Sequence, residues 1–279
     1  MAATRHADQT GDDALAWKLP ITLWGFFVLR QHWADWITTH HIGLAAARRS
    51  SNQFGEAYIL TGLVHAYHDL HRFGEAITSA EQAIAIWRKI GNRWGEGAAL
   101  VFLSLTYRHL HRFEESIDSA QQARLIFVQT GDLWCQGWAL RCLGESKRKI
   151  GQFEEAIKNS QQALDAFRQT ADLWGQGWSL HNLGDTYRNL DLFHEAVDYF
   201  SQALVIRRMI KDRQGEAVTL RGLGAVLYDI GDHDEARKCW QQALIIFDDL
   251  ADPLAAPVRA RLDKEDWIAL KAAVSQACG

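Results

Sequence analysis

The sequence predicts an all-α solenoid of antiparallel helix pairs. Three observations predict it: the chain copies itself every 40 residues, its 279 residues include only 3 prolines, and no segment alternates apolar and polar residues with the period of a strand. The run GDLWCQGWALRCLGESKRKIGQFEEAIKNSQQALDAFRQT (131–170) aligns without a gap to ADLWGQGWSLHNLGDTYRNLDLFHEAVDYFSQALVIRRMI (171–210). The same ruler marks 51–90, 91–130 and 211–250. Its columns keep their chemistry. One reads Leu60, Leu100, Leu140, Leu180, Leu220, the next Leu63, Leu103, Leu143, Leu183, Leu223, and a third Ala83, Ala123, Ala163, Ala203, Ala243.

Taken in order, residues 1–10 are polar and are expected to be disordered. Residues 11–50 read as a degenerate unit, with Leu23 in the second Leu column and Pro20 replacing the first Leu. An atypical end unit is expected to act as a cap, because one of its faces has no neighbour. The five units of 51–250 each hold two helices. Asp132, Asp172 and Asp212 stand where first helices need an N-cap. Gly151 and Gly231 suit the residue just past the end of those helices. Second helices open on FEEAI or its equivalents, with acids in the first turn. After Pro253 the register is expected to break, and 251–279 reads as one or two C-terminal capping helices.

Bulk properties exclude several classes. A net charge of −4 gives no global electrostatic case for nucleic acid or an anionic membrane. The most apolar run, Leu19 to Leu29, has the length of a core helix and not of a membrane span. No leader-like apolar stretch opens the chain. Cys135, Cys142, Cys239 and Cys278 form no CxxC pair, which fits a reduced, cytoplasmic compartment.

The columns resemble the tetratricopeptide (TPR) pattern, which Leu180, Leu183, Gly184, Tyr187, Ala196, Phe200 and Ala203 match. The 40-residue unit is longer than the usual 34. This resemblance implies a right-handed superhelix whose first helices line a concave groove. Residues 16–48 and 240–262 also resemble the start and end of the TPR sensor region in bacterial NB-ARC-type signalling ATPases, including transcriptional regulators of the antibiotic-regulatory type. The chain has no G-x-x-x-x-G-K-[ST] loop. The chain therefore reads as the isolated sensor part of such a regulator or as a stand-alone relative, with an ATPase module or a transcription regulator expected as a partner.

Helix geometry places the candidate groove residues opposite the Leu columns. They are Tyr58, Arg108, Trp138, Arg141, Glu145, Arg148, Trp178, His181, Asp185, Arg188 and Arg221. Trp and Arg are enriched in binding hot spots, and Arg grips carboxylates in bidentate fashion. An acidic protein or peptide partner follows. The ladder Arg108, Arg148, Arg188 places like charges in one column and calls for something anionic beside it. The blander reading has Arg141 with Glu145, and His181 with Asp185, satisfying each other on a solvated face. A small-molecule effector centred on Trp138 and Trp178 is a second reading. A third is an enzyme using Glu145, Asp185 and His181. Twelve histidines bring no metal-ligand spacing, and His71 and His111 sit in the inter-helix turn column. No metal and no cofactor is expected, and the leading reading is not enzymatic.

Overall fold

A computed structural model describes residues 1–30 and 32–264. Among them there is no strand, and the chain is all-α. It divides into two compact units, 1–150 and 151–279. The first unit holds α1 (Ala2–Gln9), α2 (Asp13–Thr22), α3 (Trp24–Arg30), α4 (Trp33–Arg49), α5 (Gln53–Asp69), α6 (Phe73–Lys89), α7 (Arg93–His109), α8 (Phe113–Thr130) and α9 (Leu133–Lys149). The second holds α10 (Phe153–Gln169), α11 (Leu173–Asn189), α12 (Phe193–Met209), α13 (Arg213–Ile230), α14 (His233–Asp249) and a helical segment over 255–264.

Each first helix of 51–250 is capped by its own sequence. Asn52, Asn92, Asp132, Asp172 and Asp212 each accept from the backbone N–H three residues on. Such a cap contributes about 1 kcal/mol. The Leu columns face the partner helix and are buried, as are the Ala columns. Alanines at these crossings let backbones approach closely. The turns repeat as faithfully as the helices. Positive φ occurs at Gly11, Ser51, Gly91, Gly131, Ala171, Lys211 and Ala251, and again at His71, His111, Gly151, Asp191 and Gly231. The turn role of His71 and His111 is thus a left-handed backbone position.

A second device joins successive repeats. The end of a second helix buries a large side chain against a small residue in the first turn of the next helix. Trp87 meets Gly95, Phe167 meets Gly175, and Arg207 meets Gly215. A methyl group added at Gly95 would lie 2.4 Å from the Trp87 ring.

One expectation needs correction. Residues 2–9 are helical, not disordered. Asp12 caps α2 as the other caps do, its N–H donates to the Ala7 carbonyl, and Arg49 bridges Asp8 and Asp13. The inter-repeat turn therefore holds α1 in place. After Pro253 the helix starts at 255, two residues later than the 40-residue ruler places it, and the Leu254 N–H donates to Asp252. The Asp252 N–H donates to the Phe247 carbonyl as Asp172 does to Phe167, and Ala255, Val258 and Leu262 join the core of α13 and α14. The expected helix beyond 264 lies outside the described residues.

Ala171 holds φ 55°, where an L-residue costs about 1–2 kcal/mol and glycine costs little. Glycine also loosens the unfolded chain by about 0.4–1 kcal/mol. Ala171→Gly is therefore expected to stabilise the protein by roughly 0.5–1 kcal/mol. Urea denaturation checks this, with Ala166→Gly inside α10 as the control that must destabilise. A lower midpoint for Ala171→Gly would contradict the strain argument.

Candidate functional site

The candidate residues all lie on the first helices of the repeats. Each unit carries its own share.

In the first unit, α5 contributes Tyr58, His65 and His68, α7 contributes Phe102, Arg108 and His109, and α9 contributes Trp138, Arg141, Glu145 and Arg148. The pair Arg141 and Glu145 is not on a solvated face: both side chains are under a tenth exposed. Glu145 also takes Arg108 from α7, 2.7 Å away. One carboxylate thus binds guanidiniums from two adjacent first helices, and Arg141 lies over the Trp138 ring at 5.0 Å. This revises the ladder reading at Arg108, because the anion beside it is internal. It also weakens the acid/base reading, since both Glu145 oxygens are engaged by arginines.

In the second unit, α11 contributes Trp178, His181, Asp185 and Arg188, and α13 contributes Arg221. His181 is buried 3.8 Å from Asp185, with its Nδ1 3.4 Å from the Thr219 hydroxyl. Arg188 pairs with Asp229 of α13 at 2.7 Å. Trp178 is backed by Arg207, whose guanidinium lies 4.3 Å from the indole centroid. Arg221 is half-buried on the same face. Its guanidinium has no hydrogen-bond or ion-pair partner among the described residues. It is the cation on this face that internal acids leave unanswered.

An aromatic column stands at the start of the first helices, its Trp94, Trp134 and Trp174 readable in the sequence and its Phe54 not. Phe54, Trp94, Trp134 and Trp174 are each close to half exposed. Trp94 donates its Nε1–H to the capping residue Asp132, tying one repeat to the next at 3.0 Å. The 40-residue spacing of these aromatics was the available signal. Sequence reasoning missed Trp24, whose column is otherwise filled by small residues, and the buried Arg207. No group of three potential ligands able to hold a metal occurs among the described residues. None of the helices described is long and apolar enough to cross a membrane. Cys135, Cys142 and Cys239 are buried and unpaired, and burial pushes each thiol up in pKa.

Comparison with known proteins identifies the architecture. Models of the tetratricopeptide repeat match residues 55–127, 135–209 and 217–247. The chain belongs to the tetratricopeptide repeat family. No curated protein sequence matches it. Solved structures do. The STAND signal-transduction ATPase with a tetratricopeptide repeat sensor, PH0952 from Pyrococcus horikoshii, superposes with a TM-score of 0.68 at 17% identity, covering 99% of this chain and 45% of that one. The chain thus spans less than half of that ATPase. NprR in complex with its cognate peptide NprX gives 0.67 at 16% identity, covering 94% and 78%. A Rap protein complexed with Competence and Sporulation Factor gives 0.69 at 13%, covering 90% and 74%.

Four histidines of the first unit carry a pH dependence. Burial lowers His40 and His68 to about 3, with His41 adding to the effect on His40 and His109 and Arg108 to that on His68. Burial lowers His65 and His109 to about 4, with Arg108 adding at His109. Unfolded, each takes a proton near pH 6.5. Stability is then full above about pH 6.5 and is lost as pH falls toward 4, because only the unfolded chain binds these protons. The urea midpoint is expected to be lower at pH 5 than at pH 7.5. His68→Gln should shrink the difference. Identical midpoints would refute the assignment.

Proposed function

We propose that the chain is a non-enzymatic binding module that holds an extended, acidic segment of a protein partner along its first-helix faces. Arg221 carries this reading. A partly exposed guanidinium without an internal acid is open to a ligand, and a carboxylate pairs with it through two parallel hydrogen bonds. The half-exposed Trp174, next to Trp178 on α11, supplies apolar contact area on the same side. Two structural neighbours are described with bound peptides or factors and a third as an ATPase with a repeat sensor. These support a regulatory role, with an ATPase module or transcription regulator as the class of partner.

The small-molecule reading has less support. A cleft of about 320 Å³ is lined by Ile84, Arg88, Leu100, Tyr107 and Asp118 of α6, α7 and α8, which are not among the groove candidates. Neither Trp138 nor Trp178 lines it.

Selection of random linear peptides on the full chain tests the proposal. Enriched peptides should share an acidic residue. Arg221→Ala should weaken them about 10-fold or more by fluorescence anisotropy, as for loss of one charge-assisted pair worth about 1.5–3 kcal/mol. Selection that enriches the same peptides on Arg221→Ala, or none on the wild type, would sink the reading.

A further inference from the structure

The first-helix face of the first unit already has an occupant, and it comes from the chain itself. Trp24 occupies the ruler column that holds Val64, Ser104, Gly144, Gly184 and Gly224 elsewhere. That column lies where first and second helices cross. A methyl group added at Gly184 would sit 3.0 Å from Phe200, and one at Gly224 would sit 2.6 Å from Trp240. An indole cannot enter such a crossing. In the structure α2 ends at Thr22, and α3 begins after Leu23 as a separate seven-residue piece. Every first helix of 51–250 instead runs 17 or 18 residues without interruption.

The displaced indole lies on the side of α5 and α7. Its ring meets Tyr58 edge-on at 6.3 Å, His65 edge-on at 6.1 Å and Phe102 at a tilt, also 6.3 Å. Its Nε1–H donates to His65 Nδ1 at 3.3 Å. His65 is prepared for this. It is stacked on Phe102 at 4.9 Å, walled by Trp36, and its Nε2 lies 3.6 Å from Asp69. A proton on Nε2 facing that carboxylate leaves Nδ1 as an acceptor. The cradle therefore offers aromatic walls plus one hydrogen-bond acceptor, which is the chemistry of an indole receptor. No other repeat combines these types, since the matching columns read Ala98, Leu105 and Cys142 in the next two units.

We propose that Tyr58, His65 and Phe102 form a docking subsite for a tryptophan side chain of a partner peptide, and that α3 seats Trp24 there as a built-in competitor. The partner gains the subsite by displacing α3. This rests on the peptide-binding reading above but uses different residues in a different unit. The competitor raises the threshold for binding, because the partner must first release a contact the chain makes with itself.

The test uses the full chain and N-acetyl-tryptophanamide as probe, with His65 ring signals read by NMR. Trp24→Ala should show saturable His65 shifts at a concentration at least 10-fold lower than wild type. N-acetyl-phenylalaninamide, lacking the N–H donor, should bind Trp24→Ala more weakly. Trp24→Phe keeps an aromatic plug if Trp24→Ala does not fold, and its His65 shifts should also saturate below the wild-type concentration. In wild type, the probe should accelerate amide exchange at Gly25 and Phe26 as α3 lifts away. Binding to Trp24→Ala with no effect on wild-type exchange would reduce the cradle to internal packing and overturn the proposal. Absence of His65 shifts in all variants would overturn it too. Because the probe does not involve Arg221, either result leaves the acidic-peptide reading to its own test.

Discussion

The repeats described here depend on one kind of junction, the contact between the end of a second helix and the start of the next first helix. There a bulky side chain is buried, a carbonyl is claimed by the incoming capping residue, and that residue in turn caps the next helix. The Asp172 N–H donates to the Phe167 carbonyl while its carboxylate accepts from Gly175, the residue whose missing side chain makes room for the Phe167 ring. Burial, capping and steric fit thus meet within nine residues. None of them alone would fix the angle between repeats. A glycine here is required by a neighbour's ring and not by its own φ.

The same junction explains what the sequence disclosed. A contact that depends on three positions at fixed spacing imprints those positions on the copies. The 40-residue ruler, the Leu and Ala columns and the capping aspartates could therefore be read directly. Asn52 and Asn92 cap equally well, yet they hide the column from anyone counting aspartates. The ends were harder. Residues 2–9 carry little apolar surface, and their helix follows from Asp12 and from Arg49, 36 residues or more away in sequence.

The candidate site was only half legible, for a related reason. Periodicity gives the face a residue occupies but not what its charge meets. Arg108 and Arg188 both read as open cations. Their acids, Glu145 and Asp229, lie 37 and 41 residues on, one repeat away, and whether such a pair closes depends on the tilt between neighbouring first helices. Arg221 shares a column with Arg141 and His181, and nothing in that column tells which of the three lacks a carboxylate. The distinction appears only when side chains are placed.

Arg207 shows how the scaffold reaches the face it presents. In its column the other repeats place Trp87, Phe127, Phe167 and Phe247, all buried. Here a fully buried guanidinium takes the aromatic's place and pairs with the capping carboxylate of Asp212. An apolar ring would fill the junction at less desolvation cost, since buried ion pairs are seldom worth more than well-packed hydrophobic substitutes. The arginine does something a phenylalanine cannot: it lays a cation against the Trp178 indole, polarising a side chain of the candidate binding face from behind. The cap of α13, the wedge beneath it and the ring on the face of α11 are therefore held by one residue. In this repeat the element that joins helices and the element that would meet a partner are mechanically the same.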